Sequence, residues 1–197
     1  MRIFTCEGGH IVVPDELVLV DRADGGALVV LPPREVWDRS ELSSVELCSW
    51  SLLVAATAKA MLEALPQLQS GCINYWEAGN WSLNDQASPV GFKSPRDHRR
   101  VHLHLLGRCP LATSSSWKWG EAPRFPDFAD RHIWAADHKR LNPDECRSIV
   151  SLLESILRET YNFQTDQIKP WSICLSCGYP VPTEETQASA FCSECSI

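Results

Sequence analysis

Between Arg100 and Arg108 the chain reads Arg-Val-His-Leu-His-Leu-Leu-Gly-Arg, and no other stretch constrains the fold as tightly. Successive side chains on a strand point to opposite faces. Arg100, His102, His104 and Leu106 therefore share one face, and Val101, Leu103 and Leu105 share the other. A Val/Leu/Leu face belongs in a core, so the strand has to lie in a sheet covered on that side, with two imidazoles presented as a fixed pair on the opposite side. Such a pair ligates a metal if further His, Cys, Asp or Glu side chains converge on it. It attacks a phosphoryl or acyl group if one is held beside it, and otherwise it simply packs. The neighbours here are basic: Lys93, Arg96, Arg99, Arg100 and Arg108 fall in one short segment whose only acid is Asp97. Positive charge beside histidine suits a phosphate better than a metal cation.

The rest of the chain supplies the elements that such a strand needs. Ile11-Val12-Val13, Glu16 to Val20 and Ala27 to Leu31 read as strands, with Asp24-Gly25-Gly26 as a hairpin turn between the last two. From Ser40 to Leu65, the residues Leu47, Trp50, Val54, Ala58, Met61 and Leu65 recur every three or four positions until Pro66. That period predicts a helix laid over the sheet, with Trp50 as a core anchor. Cys72 to Ala78 reads as the next strand, and Gly79 to Arg99 as a polar loop leading into the histidines. A loop of that size is generally functional, so Lys93 and Arg96 are expected to clamp substrate phosphates. Trp117, Trp119, Phe125, Phe128 and Trp134 follow, and are expected to pack under an irregular loop; His132 and His138 are expected on a helix surface. Asn142, Pro143 and Glu145 mark the start of a second helix, and Cys146, Ile149, Val150, Leu153, Ile156 and Leu157 form its apolar stripe. The expected class is α+β, an antiparallel sheet with two main helices.

The histidine strand also carries a resemblance. Arg100 to Leu106 is similar to the His-φ-His-φ-His-φ-φ signature of the histidine triad (HIT) superfamily, with arginine in the place of the first histidine, and Gly107-Arg108 continues as in that family. Ala27 to Val36 resembles the family's strand and turn, with Ala27 and Glu35 in two histidine places, and Cys72 to Asn80 looks like the strand that leads to its pocket asparagine. The resemblance implies a HIT-like nucleotide-binding domain over residues 1–169 that breaks a bond at the α-phosphate of a nucleotide, in the dinucleoside polyphosphate or nucleoside phosphoramidate class. By matching position it implies that His102 is the nucleophile of a nucleotidyl-histidine intermediate, that His104 polarises the phosphate, that Asp21 binds the ribose and that Asn80 faces the phosphates. Arg100 and Arg108 join Lys93 and Arg96 as expected substrate contacts. It also implies a possible homodimer. Chemistry agrees with the nucleophile, because a neutral imidazole with a pKa near ~6.5 attacks well and leaves well as imidazolium. Two alternatives stay open: a catalytically degenerate nucleotide-binding or scaffold protein, and a metallohydrolase on His98, His102 and His104.

Cys174-Leu-Ser-Cys177 and Cys192-Ser-Glu-Cys195 are two C-x2-C knuckles separated by fourteen residues, close to a four-cysteine zinc template. Residues 170–197 are therefore expected to form a zinc-ribbon-like module with a structural zinc ion that supplies most of its folding energy. Cys6 and His10 make an incomplete pair of the same kind. A HIT-like domain followed by a zinc module resembles aprataxin-like proteins, which remove adenylate from DNA ends. However, residues 170–197 hold Glu184, Glu185 and Glu194 and neither Lys nor Arg, and the chain's net charge is −7. Nucleic acid is thus not an expected partner, whereas a protein partner at the ribbon is. Nine cysteines without an apolar leader, and no apolar run of membrane length, point to a cytoplasmic protein with reduced thiols and no membrane partner.

Overall fold

The histidine strand, β5 (Leu103–Arg108), lies between β3 (Ala27–Leu31) and β4 (Cys72–Trp76) in a computed structural model that describes residues 1–77, 79–183, 191–192 and 194–195. With β1 (Arg2–Cys6) and β2 (Gly9–Val12) they form a five-stranded antiparallel sheet in the order β1-β2-β3-β5-β4. Among the described residues four α-helices accompany it: α1 (Ser44–Ala64), α2 (Pro95–His98), α3 (Arg131–Ala135) and α4 (Pro143–Glu159). The molecule is thus a mixed α+β structure. Val101, Leu103 and Leu105 enter the main core with Trp50, Leu53 and Met61 of α1 and Ile149, Val150 and Leu153 of α4. Leu106, on the histidine face, instead joins a second apolar cluster with Leu19, Val20, Ala27 and Trp117. The alternation of the strand therefore separates two cores, and the imidazoles stand at the rim of the smaller one.

Both long helices follow from their sequences. Ser43 and Glu46 form a capping box that starts α1, and Asn142 and Glu145 form the one that starts α4, with Pro143 in the first turn. The whole predicted stripe of α4, from Cys146 to Leu157, is buried. By length and composition alone α1 could cross a bilayer, but Trp50, Leu53, Ala56, Ala60 and Met61 are buried in the protein core.

The predicted strand over residues 16–20 does not form. Trp117 donates its indole N–H to the Leu19 carbonyl at 3.1 Å, and His138 Nδ1 lies 2.9 Å from the Val18 carbonyl, so side chains take acceptors that a ladder would use. Asp21 then caps a turn of 3-10 helix, Arg22–Asp24, and β3 pairs with β2 and β5 rather than with a hairpin partner. Gly25 and Gly107 pass backbone against backbone: a Cβ on Gly107 would lie 2.2 Å from the Gly25 carbonyl oxygen, and Gly25 has φ +136°. β1 was not anticipated, and β4 ends at Trp76. Ala78, Glu184 and Glu185 lie outside the described residues.

Beyond α4 the chain returns to the sheet. Cys6 bridges to Ile168, and Lys169 N–H donates to the Thr5 carbonyl. β6 (Trp171–Ile173) and β7 (Pro180–Pro182) then form a two-stranded antiparallel sheet. Cys174, Tyr179, Val181 and Cys192 belong to the main core, so this segment is held by packing as well as by its cysteines. Tyr179 Oη donates to the Leu141 carbonyl at 2.6 Å, and Trp171 donates its indole N–H to Glu154 at 3.0 Å.

Candidate functional site

His102 lies just before β5, where the chain leaves the ladder. Its Nδ1 is 2.8 Å from the Arg100 carbonyl oxygen. A carbonyl only accepts, so in the neutral ring Nδ1 carries the proton and Nε2 the lone pair. The His104 ring follows on the same face, its centroid 4.9 Å from that of His102. Register sets Trp76 of β4 opposite His104, and the two rings lie 5.1 Å apart. Burial, and then repulsion from His102, push the His104 pKa down to about 3, so this imidazole is neutral near pH 7.

The two imidazoles line a mostly apolar cleft together with Leu17, Leu19, Trp76 and Trp81, and with Gly79 and Ser82. The aromatic wall is buttressed. Phe125 stacks on Trp76 at 4.2 Å and Trp81 meets it edge-on at 6.1 Å. Ser82 Oγ donates to the Gly79 carbonyl at 2.6 Å, which shapes the 3-10 turn Asn80–Leu83 along the cleft. An apolar, aromatic lining beside polar ring nitrogens is the usual composition of a small-molecule site.

The basic residues expected as phosphate contacts are placed elsewhere. Lys93 is 4% exposed, and its ammonium donates to the carbonyls of Asn84 at 2.6 Å and Gly91 at 3.2 Å, so it holds the loop together instead of clamping a ligand. Arg96 lies over the Trp37 ring at 5.5 Å. Arg99 binds the Trp37 carbonyl at 2.8 Å and pairs with Asp38 and Glu77. Arg100 leaves the histidine cleft for Glu35, 3.3 Å away, and Arg108 is buried with its guanidinium on the carbonyls of Lys118 and Glu121. Of the two remaining expected contacts, Asp21 receives the N–H groups of Ala23 and Lys139, and Asn80 is exposed outside the cleft wall. The structure thus brings together His102 and His104 alone of the residues predicted there. Leu17, Leu19, Trp76, Trp81 and Ser82 were missed. Only the pairing register, which puts Trp76 beside His104, identifies that wall.

His98 does not join the pair: its Nδ1 contacts the Ser94 carbonyl at 3.2 Å. Cys6 and His10 likewise gather no further ligands among the described residues, where one group alone could hold a metal. That group is Cys174, Cys177, Cys192 and Cys195, whose sulfurs all lie within 4.8 Å of one another. Tetrahedral zinc with Zn–S bonds of ~2.3 Å requires sulfurs ~3.8 Å apart, and Cys177 Sγ and Cys192 Sγ are separated by 3.6 Å. The donor set therefore fits a thiophilic ion such as zinc. Burial opposes charge on Cys174, but the backbone N–H groups of Cys177, Cys192 and Ser176 outweigh it and bring this thiol down to about 6.

No protein-family model matches the chain, and no curated protein matches it with significant similarity.

Proposed function

We propose that the protein is a HIT-like nucleotide hydrolase or nucleotidyl transferase that acts at the α-phosphate of a nucleotide through a nucleotidyl intermediate on His102. The observation that carries this reading is the 2.8 Å contact from His102 Nδ1 to the Arg100 carbonyl, which leaves Nε2 as the nucleophilic nitrogen beside an aromatic-walled cleft. Nε2 attacks the α-phosphorus, and the bond from phosphorus to the leaving group breaks with its electron pair on the leaving group. Water or another acceptor then attacks phosphorus, the P–N bond breaks, and the imidazole is restored. His104, neutral and adjacent, donates an N–H to a phosphoryl oxygen without adding a second positive charge. The nucleobase lies in the cleft that the leucines and tryptophans line. The four cysteines form a zinc-ribbon-like structural centre whose ion, when bound, ties the two knuckles to the main core.

One observation favours a second reading, a nucleotide-binding protein without turnover. Arg100 and Glu35 stand at two histidine positions of the family and pair with each other outside the cleft. Phosphorus NMR of zinc-loaded protein mixed with adenylylated and guanylylated compounds separates the two. Product formed by the wild type and lost in His102→Ala supports the enzyme; tight binding with no product supports the binder.

A further inference from the structure

Among the described residues Arg108 is the one buried arginine, 5% exposed, and no carboxylate of theirs pairs with it. Arg22, Arg34, Arg99 and Arg158 are all more exposed, and each pairs with an aspartate or glutamate. The buried carboxylate of Asp24 is engaged by the N–H groups of Thr113 and Ser114. What surrounds Arg108 is neutral. Its Nη2 donates to the carbonyls of Lys118 at 2.9 Å, Glu121 at 3.0 Å and Trp117 at 3.5 Å, and its guanidinium carbon lies 5.6 Å from the Trp117 ring. Nε is buried with no partner among the described residues, and no hydrogen bond to them engages Nη1. A buried charge in this condition is costly until an anion completes it.

The register of the sheet shows where that anion can enter. β4 and β5 pair Trp76 with His104, Asn74 with Leu106 and Cys72 with Arg108, and cross-strand partners share a face. One face of this strand pair therefore carries the histidine cleft at one end and Arg108 at the other. At ~3.4 Å per residue the two ends are about 14 Å apart. A second hollow lies at the Arg108 end, lined also by Cys72, Asn74, Trp119, Glu121 and Pro123, and it shares no residue with the cleft. Asn74 is the diagonal neighbour of Arg108, with Cα atoms about 7–8 Å apart, close enough for two long side chains to meet one ligand. The Asn74 amide makes no hydrogen bond among the described residues. Trp119 is 43% exposed and, with Ala122 and Pro123, makes the lining mostly apolar. Glu121 supplies the one carboxylate, which Lys118 and Arg124 hold.

We propose that this hollow binds the carboxylate of a small aromatic acid. Its oxygens accept from Arg108 Nη1 and the Asn74 amide, and its ring lies against Trp119 and Pro123. The charges favour one negative charge over two. Arg108 lacks a single counter-charge, and Glu121 borders the same space, so a phosphate dianion meets repulsion that a monoanion largely avoids. The site is independent of the reaction assigned to His102.

Titration of benzoate into the full-length zinc-loaded protein, followed by NMR of isotope-labelled indole N–H groups, tests the site. The Trp119 resonance, assigned by its loss in Trp119→Phe, is expected to shift saturably, and neutral benzamide is expected to bind at least about tenfold more weakly. Arg108→Gln is expected to lose a similar factor. Because that substitution also strands the carbonyls on Nη2, two variants that keep Arg108 complete the test: Asn74→Leu is expected to weaken binding severalfold, and Glu121→Gln to tighten it. No saturable shift of Trp119, shifts confined to Trp76 and Trp81, or equal affinity for benzoate and benzamide overturns the site. Unchanged affinity in both Asn74→Leu and Glu121→Gln overturns it as well. Tighter binding of phenyl phosphate than of benzoate overturns the assignment to a monoanion.

Discussion

Replacing His104 with glutamine should remove a specific sensitivity of the fold to acid. In the folded protein, burial and the neighbouring His102 bring the His104 pKa down to about 3, whereas in the unfolded chain it titrates near its ordinary 6.5. Between those values the unfolded state binds a proton that the folded state does not, so stability falls as pH drops below about 6.5. Each pH unit in that window is worth ~1.36 kcal/mol, which gives about 2 kcal/mol by pH 5. Urea unfolding at pH 7.5 and pH 5.0 reads the effect as a difference of differences. The packing cost of the substitution appears at both pH values and cancels, as does the acid sensitivity of the cysteine centre, which both proteins share. The wild type should lose about 2 kcal/mol more than His104→Gln between the two conditions. Equal losses would refute the claim that His104 is held neutral against Trp76.

Other outcomes follow from the same geometry. Lys93→Met should lower stability by about 1–3 kcal/mol by stranding the carbonyls of Asn84 and Gly91, and should speed proteolysis within residues 84–93. It should leave nucleotide affinity unchanged, and a large loss of affinity by calorimetry would restore Lys93 as a ligand contact. Trp81→Ala should weaken nucleoside monophosphate binding by about 1–3 kcal/mol if the aromatic wall stacks a base; unchanged affinity would place the base elsewhere. Elemental analysis should find one zinc ion per chain, lost in Cys174→Ser, and chelation should lower the melting temperature; an unchanged melting curve would remove the structural role of the ion. Tyr179→Phe should cost about 1 kcal/mol in urea unfolding, because its hydroxyl is buried on the Leu141 carbonyl.

The parts of this structure that rest on local pattern were legible in the sequence. The capping residues and stripe of α4, the body of α1, the face alternation around His102 and His104 and the spacing of the four cysteines all depend on residues close along the chain. The misreadings share the opposite property. The basic run beside the histidines looked like a phosphate cradle because its partners are distant: Glu35 for Arg100, Trp37 for Arg96, Asp38 and Glu77 for Arg99. Residues 16–20 have the composition of a strand, but Trp117 and His138 reach back to claim their carbonyls. The cleft wall was hidden for a similar reason. Cys72 to Ala78 reads as strand, yet only the register with β5 sets Trp76 against His104.

The central claim, that Nε2 of His102 attacks a nucleotide's α-phosphorus, is tested most directly by intact-mass analysis of the zinc-loaded protein. It would be mixed with adenylylated and guanylylated compounds and quenched in base, where a phosphorus–nitrogen bond survives. The wild type is expected to gain the mass of one nucleotidyl group and His102→Ala none. A wild type that binds nucleotide tightly, yet shows neither adduct nor product across the panel, would contradict it.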